Sequence, residues 1–498
     1  MKKEALLSLQ NGSDVRGVAL AVPGGKAVNL TGRETAAIAA AFVRWLAQRT
    51  GREVTALRVG VGHDSRLTAQ DLKGAALRGI AWSGAAPMDC GLASTPAMFM
   101  GTVFEETCFD GAIMLTASHL PKERNGMKFF TRAGGLDKGD ITALLTMACD
   151  CDRADTGAER AKPVPLMDHY AAFLRQKIRA GCDLGDKPLD GLHLVVDAGN
   201  GAGGFFVQDV LEPLGADCTG SQFLEPDGTF PNHAPNPEDP AAMDAVCSAV
   251  LAHQANLGLI FDTDVDRMSA VLSDGREVNR DAIIAMAAAI LAPQYPGATI
   301  VTDSVTSDRL TAFLEGLGLR HCRFQRGYRN VINKAVALNE AGIETPLAME
   351  TSGHGALKEN YFLDDGAYLA VKLVIAAARA QREGGSLGSL IAALPPAGEA
   401  VERRIPISGQ DPQRYGQTVL TEFEARARAK NLTIAESYEG VRLSFPGEGW
   451  LLLRLSLHDP LLPLNVESLR PGGCAPLMAQ ARDLLTGFDR LDLSVLNA

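Results

Sequence analysis

Four times along this chain a short apolar run stops abruptly at polar, chemistry-bearing residues. Ala112 to Leu115 ends at Thr116-Ala117-Ser118-His119, and Leu257 to Phe261 ends at Asp262-Thr263-Asp264-Val265-Asp266-Arg267. Leu347 to Met349 ends at Glu350-Thr351-Ser352-Gly353-His354, and Trp450 to Leu453 ends at Arg454-Leu455-Ser456-Leu457-His458. Short apolar runs bounded by turn residues read as buried strands, and α/β proteins place their sites at the carboxyl ends of strands. Helical stretches lie between them. Thr31-Gly32-Arg33-Glu34 is a capping box opening an Ala-rich helix that Thr50-Gly51 ends. A strand from Ala56 to Val61, a helix from about Ala69 to Trp82 and a short helix near Pro96 follow. This alternation predicts α/β architecture.

The chain has 498 residues, too many for one ordinary domain. Two stretches read as linkers: Asp152 to Pro165, and Leu394 to Glu399 with its Pro395-Pro396 pair. The segment "VRLSFPGEGWLLLRLSLHDP" alternates like antiparallel strands around a Gly turn at 447–449, which predicts a smaller α+β unit at the C-terminal end. A net charge of −11 argues against a general nucleic-acid binder but leaves room for a local Arg/Lys cluster that takes an anionic substrate. The nine cysteines are scattered and include no C-x-x-C pair, which predicts neither a disulfide framework nor a zinc site and fits a reducing cytosol. Ala5-Leu6-Leu7 is too short for a signal sequence. The longest apolar run, Ala282 to Ala292, falls short of the ~18 residues of a membrane span and reads as a core helix. The expectation is a soluble, cytoplasmic protein.

Asp262, Asp264 and Asp266 stand at every second position, so in an extended backbone their side chains point the same way. Three converging carboxylates repel one another unless a hard divalent cation neutralises them, and Mg²⁺ suits such a set. An EF-hand is excluded, because its required Gly is Arg267 and its closing Glu is Ser273. Ser118, with His119 beside it and Lys128 a loop away, reads as a turn former, a hydrolase nucleophile or a phosphoryl carrier. The G-x-S-x-G elbow of many hydrolases is absent, since Thr116 and Leu120 flank the serine. Glu350, Ser352 and His354 read either as a polar turn or as groups able to hold sugar hydroxyls and exchange a proton; Arg454 with Ser456 suits phosphate, but by themselves they read first as a surface arginine in a turn. "DAGNGAGG", 197–204, has the wrong spacing for a dinucleotide loop and no P-loop lysine; it reads as a tight turn into a helix.

Taken in order, these stretches resemble the α-D-phosphohexomutase superfamily over nearly the whole chain. "TASHLPKERNGMK" is similar to its phosphoserine loop, "DTDVDR" to its metal loop, "ETSGH" to its sugar loop and "RLSLHDP" to its phosphate loop; "SDVRG", "VGHDSR", "LASTPA" and "EPDGTFPNHAPNPE" support the match. The resemblance implies three similar α/β domains and a smaller, mobile C-terminal α+β domain around a central cleft. The expected bounds are 1–160 with the phosphoserine loop, 161–279 with the metal loop, 280–393 with the sugar loop and 394–498 with the phosphate loop. It implies an isomerase, an intramolecular phosphotransferase interconverting hexose 1-phosphate and hexose 6-phosphate of mannose and/or glucose through a phosphoserine and a sugar bisphosphate.

Under that resemblance Ser118 carries the phosphate, His119 supports it, and Arg16 and Lys128 sit beside the transferring group, with Lys128 or His354 in proton transfer. One Mg²⁺ is expected on Ser118, Asp262, Asp264 and Asp266, and a sugar 1,6-bisphosphate as activator. Arg267, Arg329, Glu350, Ser352, His354, Arg454, Ser456 and His458 are expected at the substrate. The expected partners are small sugar phosphates, with no nucleic acid and no membrane, in a monomer or homodimer. The alternatives are a phosphoglucosamine mutase, or a sugar-phosphate phosphatase or non-catalytic sensor on the same fold. The chain departs from the family at Leu120, where Asn is usual, at Thr263, where Gly is common, and at Leu457-His458, which replace Gly-Thr.

Overall fold

The computed structural model describes residues 1–151, 161–183, 185–456 and 459–496. The chain forms two compact units, Met1–Asn279 with Ser352–Ser389, and Arg280–Thr351 with Leu390–Ala498. The linker expected at 152–165 lies for the most part outside the described residues.

In the first unit, an eight-stranded sheet has Gly111–Leu115 near its middle, parallel to Arg58–His63, which is parallel in turn to Ala86–Leu92. The other flank is antiparallel: Arg124–Thr131 pairs with Gly111–Leu115, and Asp14–Val18 pairs with Arg124–Thr131. Register does the positioning. Met114 faces Lys128, and Arg16 faces Gly126. Both cations therefore stand beside the turn into which Leu115 leads. The capping box forms as read: the Thr31 N–H donates to Glu34 Oε2 at 3.0 Å, and the helix Gly32–Thr50 ends on Gly51 at φ +67°. That helix covers the sheet with Ile38, Phe42, Val43 and Leu46, all fully buried. The strand expected from Ala56 begins later, at Arg58, because Val54–Ala56 closes a 3₁₀ turn and the Arg58 N–H is taken by Asp110 at 2.8 Å.

A second sheet in this unit has four strands, with Leu194–Asp197 parallel to Leu257–Phe261 and Met268–Leu272 antiparallel to it. Phe261 pairs with Met268, so Asp262 to Arg267 form the loop of a hairpin. The glycine-rich 197–204 segment turns, as expected, into a helical element, here a π-helical turn over Phe206–Leu211. The hairpin Gly355–Leu357 and Leu363–Asp364 leads into the helix Gly366–Arg382.

The second unit holds three parallel strands, Arg320–Phe324, Thr299–Asp303 and Leu347–Met349. The apolar run at 282–292 is the core helix Asp281–Leu291. The C-terminal segment forms a five-stranded antiparallel sheet in the order Glu399–Pro406, Leu461–Ser468, Gly449–Leu453, Val441–Phe445, Thr433–Ala435. Helices Pro412–Ala429 and Cys474–Leu485 contribute Val419, Phe423, Leu477 and Ala481 to its core. All nine cysteines are free thiols. No helix among the described residues is long and apolar enough to cross a membrane.

Candidate active site

Ser118 follows the strand Gly111–Leu115 in a left-handed turn at φ +49°, a conformation costing a non-glycine residue about 1–2 kcal/mol. Two contacts hold it there. Its N–H donates to Thr116 Oγ1 at 2.9 Å, and its carbonyl accepts from the buried Arg66 guanidinium. Ser118 Oγ donates to Asp262 Oδ2 at 3.0 Å and lies 3.3 Å from His119 Nδ1, while Arg267 Nη2 donates to it at 3.4 Å.

The three aspartates do converge, with oxygens within 4.8 Å of one another. Strand alternation is not the cause. The segment is a turn, and Val265 sits at φ +64°, an outlier for a β-branched residue. Three N–H groups from three other segments hold it: Ala202 donates to the Thr263 carbonyl at 2.8 Å, Thr95 to that of Asp264 at 2.8 Å, and Gly366 to that of Val265 at 3.0 Å. Thr95 and Gly366 are the first residues of helices Thr95–Met100 and Gly366–Arg382. Their N–H groups have no partner within the helix and point outward. With these carbonyls engaged, the carboxylates face inward.

Gly366 is required by close approach. A Cβ there would meet the Arg267 carbonyl oxygen at 2.7 Å and that of Val265 at 3.0 Å. Gly366→Ala is expected to cost about 1–3 kcal/mol by overpacking and to weaken divalent-cation binding by moving the loop. Thermal melts with and without Mg²⁺ check both effects, and an unchanged Mg²⁺-induced shift would count against the loop argument.

The charges balance only in part. Lys128 Nζ donates to Asp264 Oδ2 at 2.9 Å and to Asp266 Oδ2, and Arg267 Nε to Asp262 Oδ2 at 3.2 Å. Burial and the Asp266 and Asp264 carboxylates push the pKa of Asp262 up to about 8. Burial and Asp266 oppose charge on Asp264, but Lys128 and the Thr95 hydroxyl hold its pKa low. Burial disfavours the Lys128 ammonium, yet the two aspartates raise its pKa well above the usual value. Asp264 Oδ1 is buried with no hydrogen-bond partner. A carboxylate triad with an unsatisfied buried oxygen and with the intervening carbonyls turned away fits a cation that takes few protein oxygens and keeps open positions, as Mg²⁺ does.

Around this centre the first unit gathers the other expected residues. Arg16 Nη2 donates to Asp14 Oδ2 at 2.8 Å, and Nη1 donates to the Thr116 carbonyl. His354 Nε2 is 3.5 Å from Asp266 Oδ1, and its Nδ1 is 2.9 Å from Ser352 Oγ. Burial disfavours charge on His354, but Asp266 outweighs it and lifts the pKa to about 9. Burial and the positive charge of Arg267, His354 and Arg16 push His119 down to about 3, so it is neutral.

The second unit holds Glu350, Arg329, Arg454 and Ser456. Glu350 Oε1 accepts from the Gly327 N–H at 2.7 Å. Ser456 Oγ accepts from the Asp459 N–H at 3.2 Å. Arg329 lies in the first turn of the helix Tyr328–Glu340; the arginine paired with the buried Asp303 is Arg326, at 3.4 Å. Leu457 and His458 lie outside the described residues. Sequence reasoning missed Thr95, Asp14, Asp303 and Arg326. Two had a signal: Thr95 is in "LASTPA", and Asp14 stands two residues before Arg16 on one strand face.

Comparison with known proteins adds an independent line. The family description phosphoglucomutase/phosphomannomutase, alpha/beta/alpha domain I matches residues 8–152, domain II matches 168–275 and domain III matches 279–397. A phosphomannomutase/phosphoglucomutase of Pseudomonas putida is 30% identical over 428 residues, covering 85% of this chain and 87% of the relative. A phosphoglucosamine mutase of Frankia casuarinae is 31% identical over 467 residues, covering 89% and 91%. The crystal structure of a phosphoglucomutase/phosphomannomutase family protein from Burkholderia thailandensis superposes with a TM-score of 0.80 at 26% identity, covering 98% of each chain. Serine loop, carboxylate loop and domain order thus agree with sequence relatedness across most of the chain, which belongs to the phosphoglucomutase/phosphomannomutase family.

Proposed function

We propose that this protein is a Mg²⁺-dependent phosphohexomutase that interconverts the 1- and 6-phosphates of mannose and glucose through a phosphoserine at Ser118. The observation that carries it is the 3.0 Å contact between Ser118 Oγ and Asp262, which sets a nucleophile on the edge of a cation-ready carboxylate triad. Asp262, Asp264, Asp266 and the Ser118 phosphate would hold Mg²⁺, whose charge would stabilise the transferring phosphoryl group.

In this reading the phosphoserine P–O bond breaks as a bond forms to the free hydroxyl oxygen of a hexose monophosphate, whose proton ends on the departing Ser118 oxygen, giving a hexose bisphosphate and the free serine hydroxyl. The sugar turns over, and its other phosphate returns to Ser118. On return, the Ser118 hydroxyl proton has Asp262 Oδ2, at 3.0 Å, as the acceptor in reach, and His119, kept neutral by burial and the surrounding positive charge, supports the phosphoserine. Lys128 and His354 enter protonated, hence as proton donors and as positive charge beside the transferring group. Glu350 and Ser352 are assigned to sugar hydroxyls, Arg454 and Ser456 to the non-reacting phosphate, and a hexose 1,6-bisphosphate rephosphorylates Ser118. The four expected domains, divided near 160, 279 and 393, are retained as part of this proposal.

The test is a side-by-side assay on glucose 1-phosphate, mannose 1-phosphate and glucosamine 1-phosphate, with Mg²⁺ and a trace of glucose 1,6-bisphosphate. Comparable turnover of the first two, at least about tenfold above the third, is expected. Dominant glucosamine turnover would overturn the substrate assignment, and release of stoichiometric free phosphate would replace the mutase with a phosphatase.

A further inference from the structure

Arg454 is 7% exposed, and its Nε is buried with no hydrogen-bond partner among the described residues. A buried guanidinium N–H without an acceptor is costly. The nearby acids do not supply one. Glu402 accepts from Asn465 and Arg404 at 3.0 and 3.1 Å. Glu439 accepts from the Ser304 hydroxyl and the Arg326 N–H. Asp303 accepts from the Thr351 hydroxyl at 2.9 Å and pairs with Arg326.

Besides the carboxylates of Glu439, Glu402 and Asp303, none of which accepts a hydrogen bond from it, Arg454 has a second cation for a neighbour. After burial, the charge of Arg326 is the largest influence that lowers the Arg454 pKa. The arrangement is built. The Arg326 N–H donates to Glu439 at 3.2 Å, and the preceding Gln325 side chain donates to the Tyr438 carbonyl at 2.9 Å. The next residue but one, Gly440, lies so close to Arg454 that a Cβ on it would stand 2.8 Å from Arg454 Cα. On its other side, the Arg326-Gly327 turn is tied to Glu350 by the Gly327 N–H. Two like charges held together by fixed contacts, one of them with a buried N–H that has no acceptor, are the signature of a site for a doubly charged anion.

We infer that Arg326 is a second phosphate-binding residue, which joins Arg454 in gripping the dianionic phosphate of a hexose monophosphate. This rests on the reading that Arg454 holds the non-reacting phosphate. The Gly327 N–H that follows it donates to Glu350, so the Arg326-Gly327 turn couples recognition of the phosphate to recognition of the sugar.

The experiment compares Arg326→Ala, Arg326→Lys and Arg454→Ala, each checked for folding by thermal melting. Steady-state kinetics on glucose 1-phosphate are combined with calorimetric titration of inorganic phosphate, which offers Glu350 no sugar. Arg326→Ala is expected to raise KM roughly 10- to 100-fold, as for a lost charge-assisted hydrogen bond, with kcat nearly unchanged and phosphate binding weakened in parallel. Arg326→Lys keeps the charge and is expected to recover part of both losses. If Arg454→Ala weakens binding while both Arg326 variants bind as the parent does, the inference about Arg326 fails alone. If Arg454→Ala leaves KM and phosphate binding unchanged, the phosphate assignment itself fails.

Discussion

Replacing Ser118 with alanine is expected to abolish mutase turnover, by roughly 10⁴-fold or more, because the other hydroxyl of the turn, Thr116 Oγ1, is fully buried and already accepts the residue-118 N–H. The fold should survive. Ser118 Oγ touches Asp262, His119 and Arg267, and the backbone contacts through Thr116 and Arg66 do not need it. The left-handed conformation costs alanine no less than serine, so the melting temperature of the metal-free protein should change little. Assay of hexose 1-phosphate conversion, with the intact mass of protein incubated with glucose 1,6-bisphosphate, checks both halves. A Ser118→Ala protein that still turns over, or still gains a phosphate, would remove the phosphoserine mechanism.

Asp264→Asn is expected to slow the reaction by about 3–4 kcal/mol of lost transition-state stabilisation, roughly 10²- to 10³-fold. Asp264 stands between Asp262 and Asp266 in the loop, engages Lys128 at 2.9 Å, and has an oxygen with no other partner. The amide keeps the shape and removes the charge. Without metal, the change also removes a repulsion that pushes Asp262 up to about 8, so the metal-free protein should not be much destabilised. The discriminating measurement is therefore the Mg²⁺-induced rise in melting temperature, which follows the logarithm of ligand concentration over its dissociation constant. That rise should shrink in the variant. An unaltered Mg²⁺ titration would show that the triad is not the metal site.

Much of the fold was legible because its signals are local. The Thr31–Glu34 capping box, the helix Ala69–Trp82, the strand Leu257–Phe261 and the Gly447–Gly449 turn each depend on residues within a few positions of one another. The ends of elements were less legible. Arg58 rather than Ala56 starts its strand because Asp110, fifty-two residues away, takes its N–H. The site divides along the same line. Ser118, Lys128 and the aspartates stand out as residue types at strand ends, whereas Arg326 looks like one cation among several in "RFQRGYRN".

By itself the sequence determined which side chains end the buried strands and which of them have chemistry to offer, since that is written in spacing and residue type. It also carried the ordered motifs from which the family resemblance follows. Only the tertiary structure decided how the carboxylates meet. Alternation along a strand was the wrong reason: Val265 is left-handed, and N–H groups from Ala202, Thr95 and Gly366 aim the loop. The same holds for Arg326, whose place beside Arg454 depends on contacts more than one hundred residues apart in the chain. Local patterns record what a residue prefers within a turn or two. Which orphan N–H meets which carbonyl, and which charges are forced to share a space, depends on long-range packing that no local window contains.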